Sequence, residues 1–261
     1  MKRTRITPTL ADYPAEFHAL LRTSDVYDSS CSPEARVVFI DRDSGYYLKC
    51  APRGTLAREA KLTRYFHGIG LGTKVLSYVS DERDWLLTVR VRGEDCTHAD
   101  YLARPERLAI LIGERLRTLH ELPTDGCPVP DHTACYLATV EKNYRTGNYD
   151  TSHFPDSFGY ASAEEAWRVV EQGRHLLRAD TLLHGDYCLP NIMLDNWRFS
   201  AFIDLGNGGV GDRHVDLFWG AWTLNFNLHT EAYRDCFFDA YGRDKVDLDM
   251  LSIVAACEVF G

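Results

Sequence analysis

The sequence predicts an α+β fold in which a small, strand-rich part precedes a larger, mainly helical part. Residues 36–50 contain two apolar or aromatic runs around a polar Asp/Ser/Gly turn, which is the pattern of a β-hairpin. Residues 74–80 and 85–91 form two more strand-like runs. From residue 105 onward, apolar residues recur at helical spacing. We therefore expect a division near residues 89–96, with a first lobe of residues 1–91 and a second of residues 92–261.

The remaining elements follow in chain order. Residues 56–67 have a helix-like pattern that ends at the glycines 68, 70 and 72. Residues 105–120 carry leucine and isoleucine at helical spacing and predict the first long helix of the second lobe. Residues 121–162 are rich in Pro, Gly, Asp, Tyr and Asn, so we predict loops with a short helix at 137–144, forming either a binding loop or a solvated connector. The last predicted helices cover residues 213–228, 230–241 and 248–260.

Composition limits the classes of partner. The chain has 261 residues, 45% of them hydrophobic, which is enough for one large unit or two lobes. Its 29 Lys+Arg and 38 Asp+Glu give a formal charge of -9, which disfavours nucleic acid and anionic membranes as partners. This charge suits a small cationic substrate, although an acidic excess also serves simply to keep a protein in solution.

The cysteines and the amino-terminal residues indicate the compartment. The eight cysteines form no Cys-x-x-Cys pair or Cys/His cluster, so we predict reduced thiols and no zinc site. The basic run at residues 1–5 is not followed by the apolar stretch of a signal peptide, and no segment is apolar for long enough to cross a bilayer. We expect a cytoplasmic protein that is a monomer or a weak homodimer.

Two short motifs carry the chemistry of phosphoryl transfer. His184-Gly185-Asp186 is followed by Asn191, and Ile203-Asp204-Leu205-Gly206 comes soon afterwards. Phosphoryl transfer needs a carboxylate beside the attacking hydroxyl and oxygen ligands for Mg²⁺, and Asp186, Asn191 and Asp204 supply this set. Either motif alone is weak, but both in this order and at this spacing are specific. We expect Gly206 to provide the sharp backbone turn after Asp204.

The segment from His184 to Asp216 resembles the aminoglycoside phosphotransferase and choline kinase superfamily, and most closely the aminoglycoside 3'-phosphotransferases. The resemblance implies a protein-kinase-like bilobal fold with a small β-rich N-lobe and a larger, mainly helical C-lobe. It also implies transfer of the γ-phosphate of ATP or GTP, with Mg²⁺, to a hydroxyl of an aminoglycoside, which confers antibiotic resistance. In the family's pattern Asp186 is the catalytic carboxylate, and Asn191 and Asp204 are the magnesium ligands. His184 and Asp216 would support the catalytic loop.

The resemblance extends upstream to the nucleotide site. Tyr46-Tyr47-Leu48-Lys49 is similar to the strand whose lysine pairs with the α- and β-phosphates, and residues 56–60 are similar to the helix that bears its glutamate partner, here Glu59. Away from these motifs, a lysine and a glutamate would form an ordinary surface pair. Tyr47 would be the aromatic platform for the base, and Ser32 would lie in the turn over the phosphates. The remaining implied nucleotide contacts are the hinge residues Thr88, Val89 and Val91, and Ile203.

The acceptor site is implied less completely. In the resembling enzymes, carboxylates hold the amino groups of the substrate, since each buried ammonium needs an anionic partner. Our candidates are Glu258, with the terminal carboxylate beside it, and Asp150 and Asp156, although each of these two also suits an ordinary loop position.

Two departures from the family's pattern bear on the substrate. Cys257 stands where the family usually has a second acid, and Asn207 replaces a common arginine. These departures leave open a kinase for another small alcohol, such as choline, a sugar or a different antibiotic. A non-catalytic nucleotide-binding protein is the other alternative, and the complete set of catalytic residues disfavours it.

Other chemically notable residues are predicted to be structural. Aromatic residues at helical spacing predict a core stripe, with stacking on a substrate as the alternative; they are Phe218, Trp219, Trp222 and Phe226. Cys188 is predicted to pack against the catalytic loop. His120, at the end of its helix, is predicted to cap that helix or to pack.

Overall fold

The computed structural model describes residues 3–31, 35–149 and 159–261. The strands in chain order are β1 Thr4–Ile6, β2 Asp25–Asp28, β3 Arg36–Asp41, β4 Tyr46–Pro52, β5 Val75–Ser80, β6 Arg83–Val89, β7 Glu94–Asp95, β8 Thr181–Leu183, β9 Ile192–Asp195, β10 Arg198–Phe202 and β11 Gly209–Gly211. The α-helices are α1 Ala15–Arg22, α2 Ala57–Gly68, α3 Ala99–Leu102, α4 Pro105–His120, α5 His132–Thr146, α6 Ala163–Gly173, α7 His214–Leu228, α8 Arg234–Tyr241 and α9 Leu248–Glu258.

The chain forms two compact units. The first contains Met1–Asp95 and Met193–Gly206, and the second contains Cys96–Ile192 and Asn207–Gly261. In the described part of the first unit, an antiparallel sheet has the order β1-β2-β3-β4-β6-β5, and a smaller sheet has the order β10-β9-β7. In the second unit, β8 pairs with β11 and helices predominate.

The pleat of β4 separates the two faces of the first unit's main sheet. Successive side chains of a strand point to opposite faces. Leu48 and Cys50 join the core that contains Phe17 and Leu21 of α1. Ala51, by contrast, packs in a cluster with Ala60 of α2. Lys49 has the same parity as Ala51, so the strand aims its side chain toward the α2 face.

The core of the second unit joins its last helix to the middle helices. Val140 of α5 and Val170 of α6 pack against Ala256 of α9 and against Phe260, which follows α9. A separate cluster brings Leu183 of β8 together with helices α7 and α9. Residues that flank the catalytic loop in sequence are thus held by helices from the end of the chain.

The structure confirms most of the predicted elements. The hairpin is β3 and β4, and the predicted helix at 105–120 coincides with α4. The predicted helix at 137–144 is too short, because α5 begins after the Asp131 side chain caps the Ala134 N–H and ends at left-handed Gly147. The helix α6 was not predicted, and α8 begins at Arg234 instead of residue 230. Among the described helices, none combines the length and the apolar character that spanning a membrane requires.

Candidate active site

Three charged side chains meet in the first unit. Lys49 Nζ lies 2.8 Å from Glu59 Oε2 and 2.8 Å from Asp204 Oδ1. The lysine and glutamate side chains are largely buried, whereas the Asp204 side chain is 51% exposed. The predicted pairing of Lys49 with Glu59 is therefore present, and Asp204 is a second partner of the lysine that the sequence did not predict.

The electrostatics keep Lys49 charged. Burial alone would lower the pKa of Lys49, but the negative charges of Glu59 and Asp204 and their hydrogen bonds outweigh it, so the pKa is raised. A lysine with two carboxylate neighbours is a stable cation, and one of these carboxylates remains open to solvent. This arrangement suits the binding of an anionic group such as a phosphate.

The elements around this cluster fix its geometry. Asp84 in β6 is fully buried and accepts a hydrogen bond of 2.9 Å from the Leu56 N–H, which anchors the start of α2 one turn before Glu59. Asp204 follows β10 and has φ +56°, in the left-handed region. The expectation that Gly206 makes the turn is therefore wrong, because the positive φ belongs to Asp204 itself. At Gly206 a Cβ would lie 3.5 Å from Glu59 Cβ, an ordinary contact distance.

The other predicted nucleotide residues lie around β4 and β6. Tyr47 lies on the same face of β4 as Lys49, and Thr88 is its direct neighbour on β6. The Tyr47 hydroxyl accepts a hydrogen bond of 2.8 Å from Arg3. The Val89 N–H donates to the Lys74 carbonyl at 3.0 Å, and the Val89 carbonyl accepts from Thr73. Val91 and Ile203 are half-buried, and Ser32 lies outside the described residues.

In the second unit, the loop of residues 184–191 is held together by the side-chain amide of Asn191. Asn191 Nδ2 donates to Asp186 Oδ2 at 2.8 Å and to the Asp186 carbonyl at 3.0 Å. Asn191 is buried at the end of a short 3₁₀ turn that contains Pro190, whereas Asp186 is half-buried. These two bonds fix the direction of the Asp186 carboxylate.

Asp216 supports this loop by accepting hydrogen bonds from its backbone. Its carboxylate is fully buried and accepts hydrogen bonds of 2.7 Å from the His184 N–H and from the Gly185 N–H. Burial would raise the pKa of Asp216, but hydrogen bonds from His120 and the loop, together with nearby histidines, lower it. Gly185 has φ +83°, and a Cβ there would lie 1.9 Å from the Asn207 carbonyl oxygen. The loop thus requires glycine at position 185.

His120 and Cys188, which were predicted to be structural, both lie close to this loop. His120 is buried, and its ring nitrogens contact Tyr241 Oη at 2.9 Å and Asp216 Oδ2 at 3.1 Å. It therefore packs and supports Asp216, and the capping alternative is wrong. Burial, reinforced by the charge of Asp186, raises the pKa of Cys188 far above its usual range. Cys188 is therefore a protonated thiol that packs beside the loop, as predicted.

Glu258 is a buried carboxyl at the end of α9. It is 9% exposed, and its Oε1 accepts a hydrogen bond of 2.7 Å from Tyr136 Oη. Burial raises its pKa to about 7, against the effect of hydrogen bonds from Tyr136 and Trp219, and the charge of Asp186 adds to the rise. Its position near Asp186 and the absence of a cationic partner among the causes of its raised pKa make it a candidate partner for a cation. Its hydrogen bonds with Tyr136 and Trp219 could not be predicted from the sequence, because these residues are remote in the chain.

The aromatic stripe of α7 is only partly core. Phe218 and Trp219 are half-buried and pack against the cluster of Leu183, Val215 and Val254, as predicted, whereas Trp222 is half-buried and Phe226 is 62% exposed. The prediction that the stripe belongs to the core is therefore confirmed for its first two residues and wrong for Phe226. The helix is apolar nearly all round, so its periodicity does not identify which face is covered.

The two departures from the family's pattern lie in different surroundings. Cys257 is fully buried in the core cluster of α5, α6 and α9, and burial raises its pKa to about 12. A second acid at position 257 would therefore face the core. Asn207 is exposed beside the loop and contributes its carbonyl to the close approach of Gly185. Asp150 and Asp156 lie outside the described residues.

Each unit presents an oxygen donor that suits Mg²⁺. In the first unit it is the half-exposed Asp204 carboxylate, and in the second it is the Asn191 side-chain carbonyl, whose amide nitrogen is occupied by Asp186. Among the described residues, no group of three or more His, Cys, Asp or Glu side chains could hold a metal ion. Mg²⁺ usually binds one or two protein oxygens together with water and phosphate.

Comparison with known proteins agrees with this chemistry. The model of the "Phosphotransferase enzyme family" matches residues 33–251. The chain is 51% identical over 262 residues to a protein of Lactococcus lactis subsp. lactis named "Probable aminoglycoside 3'-phosphotransferase", with coverage of 100% of this chain and 99% of that protein.

Solved structures confirm the predicted protein-kinase-like α+β fold. A crystal structure of an aminoglycoside-3'-phosphotransferase of type VIII has a TM-score of 0.76 and 23% identity, covering 96% of each chain. The structure of a Streptomyces rimosus aminoglycoside phosphotransferase with ADP and streptomycin has a TM-score of 0.67 and 22% identity, covering 94% of this chain and 98% of that one. The chain belongs to the phosphotransferase enzyme family.

Proposed function

We propose that this protein transfers the γ-phosphate of ATP or GTP to a hydroxyl of an aminoglycoside and thereby confers resistance to the antibiotic. The observation that carries the proposal is its full-length similarity to the Lactococcus protein. The charged clusters in the two units support it independently, because they contain the groups that phosphoryl transfer requires.

The first unit is the proposed nucleotide-binding part. Lys49 would hold the α- and β-phosphates, and Glu59 would keep the lysine side chain in place through its 2.8 Å contact. Tyr47 would stack on the base, and Thr88, Val89, Val91 and Ile203 would surround it. Ser32 would cover the phosphates. Because Lys49 already has two anionic partners, phosphate binding would replace part of its interaction with Asp204.

Asp204 and Asn191 are the proposed magnesium ligands. The bound ion would neutralise charge on the phosphate oxygens during transfer. Asp204 is suited to this role because its carboxylate is half-exposed and its backbone is fixed in a left-handed conformation. Asn191 is suited to it because its amide nitrogen is committed to Asp186, which leaves its carbonyl oxygen as a ligand.

The second unit is the proposed catalytic and acceptor-binding part. Asp186 would accept the hydrogen bond of the acceptor hydroxyl and orient it for in-line attack. The hydrogen bonds from Asn191 and the support of Asp216 hold the loop before substrate binds, so the loop loses little conformational entropy on binding.

The cationic acceptor would be held by carboxylates of the second unit. Glu258 would pair with an ammonium group of the aminoglycoside. Burial disfavours the charged form of this carboxyl, and the positive charge of the ammonium would offset that cost. Asp150 and Asp156 are proposed as further partners. We place the reaction in the cytoplasm, where nucleoside triphosphates are available and where cysteines stay reduced.

The proposal is tested by measuring nucleotide consumption by the purified protein with Mg²⁺ and ATP or GTP. Kanamycin-like and streptomycin-like compounds are compared with choline, simple sugars and unrelated antibiotics. Asp186→Asn tests the catalytic carboxylate, and Asp244→Asn, at an exposed position, is its matched control.

We expect acceptor-dependent turnover with an aminoglycoside, lost in Asp186→Asn and kept in Asp244→Asn. Turnover only with choline, a sugar or another antibiotic would show that the protein is a kinase for a different substrate. A protein that binds nucleotide but turns over no acceptor would support the non-catalytic alternative.

A further inference from the structure

Three aromatic side chains of α7 form a continuous ladder along one face of the helix. The ring centroids of Trp219 and Trp222 are 5.3 Å apart with the planes at 79°, and those of Trp222 and Phe226 are 4.9 Å apart with the planes at 13°. We call these three residues the aromatic ladder. Its last ring, Phe226, is 62% exposed. A stacked pair of large rings is thus preformed with most of one ring facing solvent.

The ladder begins beside the catalytic apparatus of its own unit. Trp219 donates a side-chain hydrogen bond to Glu258, whose pKa is influenced by the charge of Asp186. One turn later, Thr223 Oγ1 accepts a hydrogen bond of 3.1 Å from the Leu189 N–H of the catalytic loop. The same helix therefore fixes the loop and carries the ladder away from it.

The length of the ladder fits an acceptor of more than one ring. Trp219 and Phe226 are seven residues apart, which places them on the same face of the helix with a rise of about 10 Å between them. A sugar ring is roughly half that length. The stacked rings of Trp222 and Phe226 cover each other's inner faces, so an acceptor with an ammonium at Glu258 would stack its further rings on the exposed face of Phe226.

We propose that the aromatic ladder Trp219, Trp222 and Phe226 is an acceptor-binding platform against which the rings of a multi-ring aminoglycoside stack. The inference rests on the proposed function and adds a determinant of acceptor affinity. Aromatic faces attract both the apolar C–H face of a sugar ring and a nearby ammonium group. The formal charge of -9 and the carboxyl of Glu258 favour a cationic occupant over a neutral or anionic one.

The test is the steady-state kinetics of Phe226→Ala with a multi-ring aminoglycoside and with a two-ring fragment that keeps the phosphorylated ring. Phe226 is exposed and alanine favours helix, so the variant should fold normally. We expect KM for the multi-ring acceptor to rise about tenfold, as for the loss of a moderate stacking or cation–π contact. KM for the fragment, KM for ATP and kcat should each change less than about twofold.

Two further variants separate stacking from other effects. Phe226→Leu keeps apolar surface but not the flat ring, so it should lose nearly as much acceptor affinity as Phe226→Ala. Leu248→Ala removes an equally exposed apolar side chain that lines a groove of about 330 Å³ between α7, α8 and α9, which Trp222 also lines but Phe226 does not. It should leave KM for the acceptor unchanged if the acceptor lies on the ladder.

Several results would overturn the inference. An unchanged acceptor KM in Phe226→Ala, with normal turnover by the unmodified protein, would refute the ladder alone and leave the proposed function intact. An equal rise for the fragment and the parent acceptor, or a rise in Leu248→Ala instead, would also refute it. Absence of turnover by the unmodified protein with every aminoglycoside would refute the proposed function and this inference together.

Discussion

Glu258→Gln should remove a large pH dependence from the stability of the protein. Burial raises the pKa of Glu258 from 4.5 to about 7, so the folded state binds a proton at this site more tightly than the unfolded state does. The folded state is therefore favoured at low pH and loses stability as the pH rises from about 4.5 through 7. Linkage between these two pKa values gives a loss of about 2–3 kcal/mol between pH 5 and pH 8.

The assay is the free energy of unfolding by urea at several pH values for the unmodified protein and for Glu258→Gln. The difference between the two curves should change by about 2–3 kcal/mol from pH 5 to pH 8, with the variant gaining relative stability at the higher pH. Glu171→Gln, at an exposed position on α6, controls for the loss of one charge and should give a curve parallel to that of the unmodified protein. If the curve for Glu258→Gln is also parallel to that of the unmodified protein, the pKa of Glu258 is not raised in the folded state and this prediction is refuted.

Three more outcomes are expected. Asp186→Asn should lower kcat by about 10²–10⁴-fold and change the Kd for nucleotide, measured by calorimetry, less than about threefold; an equal loss in both would contradict its role. Lys49→Met should raise KM for ATP and lower the free energy of unfolding by about 3 kcal/mol, because it leaves Glu59 buried without its partner. Adding Glu59→Gln should restore the stability measured by urea unfolding but not the activity. Gly185→Ala should cost about 3 kcal/mol or more, since it combines a positive φ with a Cβ 1.9 Å from a carbonyl oxygen, and an unchanged Tm would show that the loop adapts.

Local patterns were enough to predict the hairpin, whereas the Lys49–Glu59 pair was predicted from the resemblance to the family. The alternation of β4 sets the face of Lys49, and the start of the following helix sets the direction of Glu59. The contact of Lys49 with Asp204 joins residues 155 positions apart, so no local pattern indicates it. The support of Asp216 by His120 spans 96 positions and was missed for the same reason.

The errors concern properties that only three-dimensional packing determines. A glycine after an aspartate favours a turn at the glycine, yet the left-handed residue is Asp204, held in place by its bond to Lys49. The aromatic residues of α7 have the spacing of a core stripe, but Phe226 faces solvent because α7 is apolar on nearly all sides and has more such surface than its neighbours cover. The resemblance places Cys257 where the family usually has a second acid, and the phase of α9 turns this position into the core.

The most direct test of the central claim is to identify the product. The purified protein is incubated with Mg²⁺, ATP or GTP and an aminoglycoside, and the acceptor is analysed by mass spectrometry and phosphorus NMR. The account predicts one phosphate ester on an acceptor hydroxyl, formed in equal amount to the nucleoside diphosphate and absent with Asp186→Asn. Nucleotide hydrolysis without a phosphorylated acceptor, or a phosphorylated product that persists with Asp186→Asn, would contradict it.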